Sequence, residues 1–300
     1  MGKIIVILGP TSSGKSSVAI SLAQKFRGEI ISADSRQIYR GMDVGTGKIT
    51  KAEQKMAKHY GVDIISPKTD YNASKFKKYA DKIIADILKR GKVPIICGGT
   101  GFWIKAIIDN VVYPEVAPNW ELRNKLRNYS AEKLFKMLQK LDPVRAKNID
   151  AKNPVRLIRA IEICKTLGKV PAIYELRNER KYETLQIGIN LPQKKLYENI
   201  NKRLKKRFKL GMIEEVKKLH FNDKISWKKL QSFGLGYSLI PKYIQGEIKS
   251  KEELFEKIFQ AEKNYAKRQM TWFKKDSRII WLENYLEIIK ETTKFLLNNP

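Results

Sequence analysis

Behind Lys3, residues 3–8 are a run of apolar, mostly β-branched positions that stops at Gly9, and residues 17–26 return to apolar positions at helical spacing. The chain therefore opens as strand, loop, helix. Residues 29–33 read as a second short strand, stopped by Asp34. Over residues 74–90, Phe76, Tyr79, Ile83, Ile84, Ile87 and Leu88 fall on one face of a helix that Gly91 ends, and residues 93–97 follow as a buried strand. Strands alternating with helices in this way predict a parallel sheet. Between Tyr113 and Asn148 the strand pattern stops, and a helical stretch at 121–141, bounded by Pro114, Pro118 and Pro143, predicts an inserted helical subdomain. A helix over 154–167, stopped by Gly168, and a late strand of the central sheet at 184–191 come next. Beyond them the chain turns helical and basic over 194–219, 226–245 and 251–275, and closes with a strand at 278–282 and a helix from Leu286. The expected division is a first part of the core over 1–112, an inserted subdomain over 113–149, and the remainder of the core with a helical region over 150–300.

Composition changes this picture in one respect. An apolar content of 42% with 10% aromatics is that of a folded chain, but 60 Lys and Arg against 31 Asp and Glu leave a net charge of +29, more than solubility requires. A polyanion is the expected partner, against the plainer account of a solvated lysine-rich surface. Cys97 and Cys164 fall inside a strand and a helix without CxxC spacing, so buried thiols, no disulfide and a reducing compartment are expected. His59 and His220, the only histidines, add no zinc cluster. Without a signal-like or membrane-length apolar stretch, the chain reads as cytosolic, with no membrane partner.

The chemistry begins at Gly9-Pro10-Thr11-Ser12-Ser13-Gly14-Lys15-Ser16, which fits G-x-x-x-x-G-K-[ST] at every defined position and lies between the strand and helix that the motif needs. Backbone N–H groups wrap an anion, Lys15 neutralises the outer phosphate, and the Ser16 hydroxyl is placed to ligate Mg²⁺. The fold class is accordingly α/β: a P-loop NTPase-like parallel sheet with flanking helices, an inserted small helical subdomain and a helical, basic C-terminal region. In such a sheet ligands bind at the carboxyl ends of the strands. Three ends carry signals: Gly9 onward, Asp34-Ser35, and Gly98-Gly99-Thr100-Gly101. Asp34 is then an indirect Mg²⁺ ligand, a proton acceptor beside the phosphates, or a turn residue. Thr100 precedes a helix whose N-terminus would favour an anion, or it simply caps that helix. The basic helices interleave cations with aromatics, as in Arg203, Arg207 and Phe208 and in Lys267 to Lys274. That pattern suits looped RNA, but equally an amphipathic helix with aromatics in the core.

Taken together the motifs resemble the tRNA dimethylallyltransferases, or tRNA isopentenyltransferases. The resemblance rests on the phosphate loop; on Ile31-Ser32-Ala33-Asp34-Ser35-Arg36-Gln37-Ile38-Tyr39 and the residues to Thr46; on Gly98 to Gly101; on Asn153-Pro154-Val155-Arg156-Leu157-Ile158-Arg159-Ala160-Ile161-Glu162; and on Lys267-Arg268-Gln269-Met270-Thr271-Trp272-Phe273. It implies transfer of a dimethylallyl group from its diphosphate to the exocyclic N6 of the adenosine 3′-adjacent to the anticodon. Asp34 would be the base. Lys15, Ser16 with Mg²⁺, Thr100 and Arg203 would steady the departing diphosphate; Arg203 is matched through the weaker pattern Tyr197-x-x-Ile200-x-x-Arg203. Asp34, Ser35, Arg36 and Gln37 would hold the flipped base. Val155, Arg156, Leu157, Ile158 and Arg159 would grip the anticodon stem-loop, as would Lys267, Arg268, Gln269 and Trp272. The inserted helices near residues 120–140 would lie on the same stem, and a monomer is expected. The chain departs from the family pattern at Gly47-Lys48-Ile49, at Phe102-Trp103 and at Ser238, the last of which puts one tRNA contact in doubt. A P-loop small-molecule kinase would use the same loop and Asp34 but leaves the basic C-terminal half unexplained.

Overall fold

The computed structural model describes residues 1–171 and 179–298. It divides into two compact units, one of Met1–Ile108 with Arg180–Pro300 and one of Asp109–Glu179. In chain order the first unit contributes β1 (Gly2–Leu8), α1 (Lys15–Lys25), β2 (Gly28–Ser32), α2 (Lys51–Met56), β3 (His59–Tyr60), α3 (Ala73–Lys89), β4 (Val93–Gly98) and α4 (Gly101–Ile108). The second contains α5 (Trp120–Arg127), α6 (Ala131–Leu141), α7 (Pro143–Lys147) and α8 (Pro154–Leu167). The chain then returns to the first unit with β5 (Tyr182–Ile189), α9 (Gln193–Lys209), α10 (Met212–Phe221), α11 (Trp227–Ser232), α12 (Gly236–Ile244), α13 (Lys251–Phe273), β6 (Ile280–Leu282) and α14 (Tyr285–Leu297).

The strands form one parallel sheet in the order β3-β2-β4-β1-β5-β6. β1 is central and Ile4 to Leu8 are buried throughout, which explains why its sequence runs apolar instead of alternating. One face is closed by α1 through Ala19, Ile20, Leu22 and Ala23, together with Ile288 of α14. α3 is fixed at its start by Asn72, whose side chain accepts from Lys75 N, and it buries Phe76, Ala80, Ile84 and Ile87. Phe76 stacks on Trp103 of α4 at 4.2 Å between ring centroids, so the Phe102-Trp103 departure is a packing feature with Phe102 outside and Trp103 inside.

The strand ends place the site. Leu8 pairs with Gly98 on one side and Gly188 on the other, and the pairing of β2 with β4 continues past their ends through Ala33 N to Cys97 O at 2.8 Å and Thr100 N to Ala33 O at 3.2 Å. A side chain at Gly98 would overlap the Ala33 backbone, so this close approach needs glycine. The loops after β1, β2 and β4 thereby emerge side by side.

Several expected boundaries change. The helix expected over 194–219 is two helices, α9 and α10, because Gly211 at φ 86° turns the chain while the apolar spacing carries on. The helix expected over 226–245 divides into α11 and α12 at Gly234 (φ 77°) and Leu235 (φ 49°). α2 and β3, absent from the sequence reading, lie in the connection after β2. The helical unit is Asp109–Glu179 rather than 113–149: α8, assigned to the core, packs Leu157, Ile158, Ala160, Ile161 and Cys164 against Leu126, Leu134, Leu138 and Ala146. Cys97 and Cys164 are free and buried. Among the described residues, no helix is long and apolar enough to cross a membrane.

Candidate active site

The loop from Gly9 to Ser16 has the backbone that phosphate binding requires. Gly9 adopts φ 144°, and a side chain there would press on Ile189 O and Ser13 Oγ, both at 3.2 Å. Gly14 precedes α1 in the left-handed region at φ 90° with no side chain capping the helix, so the first-turn N–H groups face the loop's concavity. The hydroxyls of Ser12 and Ser13 are buried without a hydrogen-bond partner. Lys15 donates to Pro10 O at 2.5 Å. Burial lowers its ammonium to about 8, with Arg203 acting in the same direction against the carboxylate of Asp34.

Arg203 reaches this loop from α9. It donates to Thr11 Oγ1 at 3.1 Å and to Gly47 O at 2.7 Å, and burial followed by the neighbouring Arg207 lowers its pKa. Arg207, one turn on, is neutralised by a buried ion pair with Glu262 of α13 and donates to Gly45 O at 2.9 Å. Two desolvated cations, Lys15 and Arg203, thus converge on the loop without a directly bonded carboxylate, an arrangement that an incoming phosphate compensates.

Across the cleft, Asp34 Oδ1 accepts from Arg36 N at 2.8 Å. The Thr100 hydroxyl accepts from Ser35 N at 3.1 Å, so it ties the β2 and β4 loops together. Arg36 donates to Phe233 O at 2.7 Å and lies 5.7 Å from the Phe233 ring centroid. One cleft of about 1020 Å³ is lined by Thr11, Lys15, Ser16, Asp34, Thr100 and Arg203, and Ser35, Arg36, Gln37 and Arg268 border the same space. The predicted diphosphate and catalytic residues are therefore assembled in one place.

The residues assigned to RNA divide. Val155 and Arg156 are exposed on α8, but Leu157 and Ile158 face the apolar core of the helical unit, which corrects their assignment as surface contacts. Arg159 pairs with the buried Glu162 and donates to Val116 O at 3.0 Å, bracing its own unit. Gln269 is also reassigned: it is buried, accepts from Thr11 N at 2.8 Å and donates to Gly99 O at 2.9 Å, locking the phosphate loop to the β4 loop. Lys267, Arg268 and Trp272 line a shallow groove of about 370 Å³ along α13 with Thr271 and Lys275. On α9 the amphipathic reading prevails, since Arg207 is buried and Phe208 packs on Phe255 at 5.4 Å between centroids. Ser238 is half-buried, and its hydroxyl donates to Leu235 O at 2.8 Å, three residues back in the chain.

Four residues of the site escaped the sequence reading. Asn199 donates to Ser12 O at 3.3 Å, Glu215 accepts from the loop at 43–45, and Glu262 neutralises Arg207. Tyr265 borders the cleft, its hydroxyl pushed up to about 12 by burial and the charge of Asp34. The spacing of Asn199, Arg203 and Arg207 on one helical face was the available signal for a polar stripe turned inward.

The family model for IPP transferase matches residues 37–276. The tRNA dimethylallyltransferase of Thermoanaerobacter sp. (strain X514) is 40% identical over 310 residues, covering 98% of this chain and 97% of its own. That of Acetivibrio thermocellus is 39% identical over 291 residues, covering 94% and 92%. The crystal structure of the tRNA delta(2)-isopentenylpyrophosphate transferase from Staphylococcus epidermidis matches with a TM-score of 0.71 at 37% identity over 99% of both chains. A eukaryotic dimethylallyltransferase acting on tRNA shares the fold, with a TM-score of 0.85 at 24% identity over 100% of this chain and 81% of that one. The family match takes in most of the chain, from residue 37 onward, and the relatives extend over nearly all of it, the Gly9–Ser16 loop included, so the chain belongs to the IPP transferase family.

Proposed function

We propose that this chain transfers a dimethylallyl group from dimethylallyl diphosphate to the exocyclic N6 of the adenosine 3′-adjacent to the anticodon in tRNA. The observation that carries this reading is the convergence, in one cleft, of the phosphate loop, two desolvated cations and an aspartate tied by only one of its oxygens. The loop N–H groups, Lys15 and Arg203 bind the diphosphate. Asp34, held through Oδ1, has Oδ2 to accept a proton. The N6 lone pair forms the bond to the allylic carbon as the carbon–oxygen bond breaks; the electron pair leaves with pyrophosphate, and the N6 proton passes to Asp34. Charge growing on the departing oxygens is met by Lys15, Arg203 and the loop N–H groups already in place. Ser35, Arg36 and Gln37 follow Asp34 in the chain and edge the space an extruded base enters.

Among the described residues no group of three His, Cys, Asp or Glu could hold a metal by itself. The donor set instead fits Mg²⁺, which binds through one or two protein oxygens plus phosphates and water: the Ser16 hydroxyl, exposed on the first turn of α1, would hold it beside the diphosphate. When bound, Mg²⁺ would draw charge from the diphosphate. The exposed Arg156, Lys267, Arg268 and Trp272 suit the anticodon stem-loop, the cations for phosphates and the indole for a base face.

The test is to combine the protein with Mg²⁺, dimethylallyl diphosphate and unmodified tRNA, then analyse digested nucleosides by mass spectrometry. Prenylated adenosine at the position after the anticodon is expected. Prenyl transfer to free adenine nucleotides but not to tRNA would contradict the reading.

A further inference from the structure

The segment between β2 and α2 carries Gly47, whose carbonyl holds Arg203, and a carboxylate from another helix holds that segment. Glu215 of α10 accepts from three consecutive backbone N–H groups: Asp43 N at 2.7 Å and Val44 N at 2.7 Å through Oε2, and Gly45 N at 2.9 Å through Oε1. Three adjacent N–H donors turned to one point form an anion nest, filled here by an internal carboxylate. The Tyr237 hydroxyl of α12 donates to Glu215 Oε1 at 2.6 Å. Tyr237 is buried, and burial with the adjacent carboxylate keeps its hydroxyl protonated and donating. Gly45 has no side chain because one would meet the Tyr237 ring at 2.6 Å.

The peptide around Gly45 is gripped on both sides, its N–H by Glu215 and its carbonyl by Arg207 at 2.9 Å. The turn closes on itself through Gly47 N to Val44 O at 3.0 Å and Lys48 N to Asp43 O at 2.9 Å. A rigid turn then presents Gly47 O to Arg203 at 2.7 Å, and the other terminal nitrogen of Arg203 meets Thr11 of the phosphate loop at 3.1 Å.

We propose that Glu215, seated by Tyr237, is a positioning residue for Arg203, fixing the turn whose Gly47 carbonyl aims the guanidinium at the diphosphate. This rests on the reading of Arg203 and the phosphate loop as a diphosphate site. Glutamine at 215 keeps the shape but turns an NH₂ toward backbone donors, so the nest opens. Arg203 then loses its aim.

The experiment measures inorganic pyrophosphate affinity by titration calorimetry in the full-length protein, for wild type, Glu215→Gln, Arg203→Lys and the double variant. Single-turnover prenyl transfer is followed in parallel. Glu215→Gln should weaken pyrophosphate binding about tenfold, the scale of a charge-assisted hydrogen bond, and should add little on top of Arg203→Lys. The tRNA affinity should stay within about twofold, since Glu215 is turned to the loop. Tyr237→Phe, which removes one donor, should show a loss of about threefold with the same non-additivity, and it carries the test if Glu215→Gln does not fold. Glu214→Gln, at the exposed neighbour, should match wild type. Additive effects of Glu215→Gln and Arg203→Lys, or an unchanged pyrophosphate affinity, would overturn the inference while leaving the diphosphate site intact. Failure of wild type to bind pyrophosphate would overturn both.

Discussion

Lys15 illustrates what a single residue needs from its surroundings. Its place in the motif was legible from sequence, because the chemistry lies in the spacing itself. Its electrostatic state was not, since that depends first on burial beneath the loop and then on charges such as Arg203, which lies far along the chain. An ammonium lowered to about 8 binds an anion best when protonated. Affinity for dimethylallyl diphosphate should therefore be flat below that value and weaken as pH rises through it, by up to about tenfold per unit. Titration calorimetry across pH 7 to 9.5 checks this, and Lys15→Ala should flatten the dependence. The same variant should lose most turnover, with tRNA affinity nearly intact, if Lys15 serves the diphosphate alone. An equal collapse of tRNA binding would refute this division. Gln269 and Leu157 teach the converse: each sits inside a motif block assigned to RNA, yet burial turns them to loop bracing and core packing.

At the scale of elements, the strand–helix alternation was readable because a strand buried on both faces leaves an unbroken apolar run, whereas the order of the strands, with β1 central, was not. The breaks at Gly211 and Gly234 were not, since apolar spacing continues through each turn and only backbone angle distinguishes it. Nor does the apolar face of α8 state which core it joins. One element pair makes a measurable claim. Glu29 of β2 is 2% exposed and accepts from both terminal nitrogens of Arg90 just past α3, at 2.7 and 2.6 Å, from Lys92 at 2.7 Å and from Tyr60 at 2.8 Å. The Arg90 hydrogen bonds, chiefly, lower its pKa from 4.5 to about 2 despite burial. A depressed carboxylate contributes stability that is complete above its unfolded pKa and fades as pH falls from about 4.5 towards 2. Glu29→Gln should lower stability at pH 7 by on the order of 2 kcal/mol and flatten the acid limb of denaturant midpoint against pH. An unchanged acid limb would show that the network is held by packing instead.

At the scale of the whole molecule, a net charge of +29 acquires meaning from where cations lie exposed. Arg156 of α8 and Lys267 of α13 are both exposed, on the helical unit and on the sheet-bearing unit respectively. If both meet tRNA phosphates, replacing either by Gln should reduce the slope of log affinity against log salt by roughly 0.7–0.9. Unchanged slopes for both would remove them from the interface. Donor binding, tRNA binding and bond formation should then separate, with bond formation resting on Asp34. The most direct measurement is the single-turnover rate of prenyl transfer to unmodified tRNA by Asp34→Asn, at saturating Mg²⁺ and dimethylallyl diphosphate, beside its affinity for the donor. The substitution is nearly isosteric and cannot accept a proton at neutral pH. Donor affinity should stay within a few-fold of wild type while the rate falls by about 10²–10⁴; a variant as fast as wild type, or a slow rate matched by an equal loss of donor affinity, would contradict the assignment of Asp34 as the base.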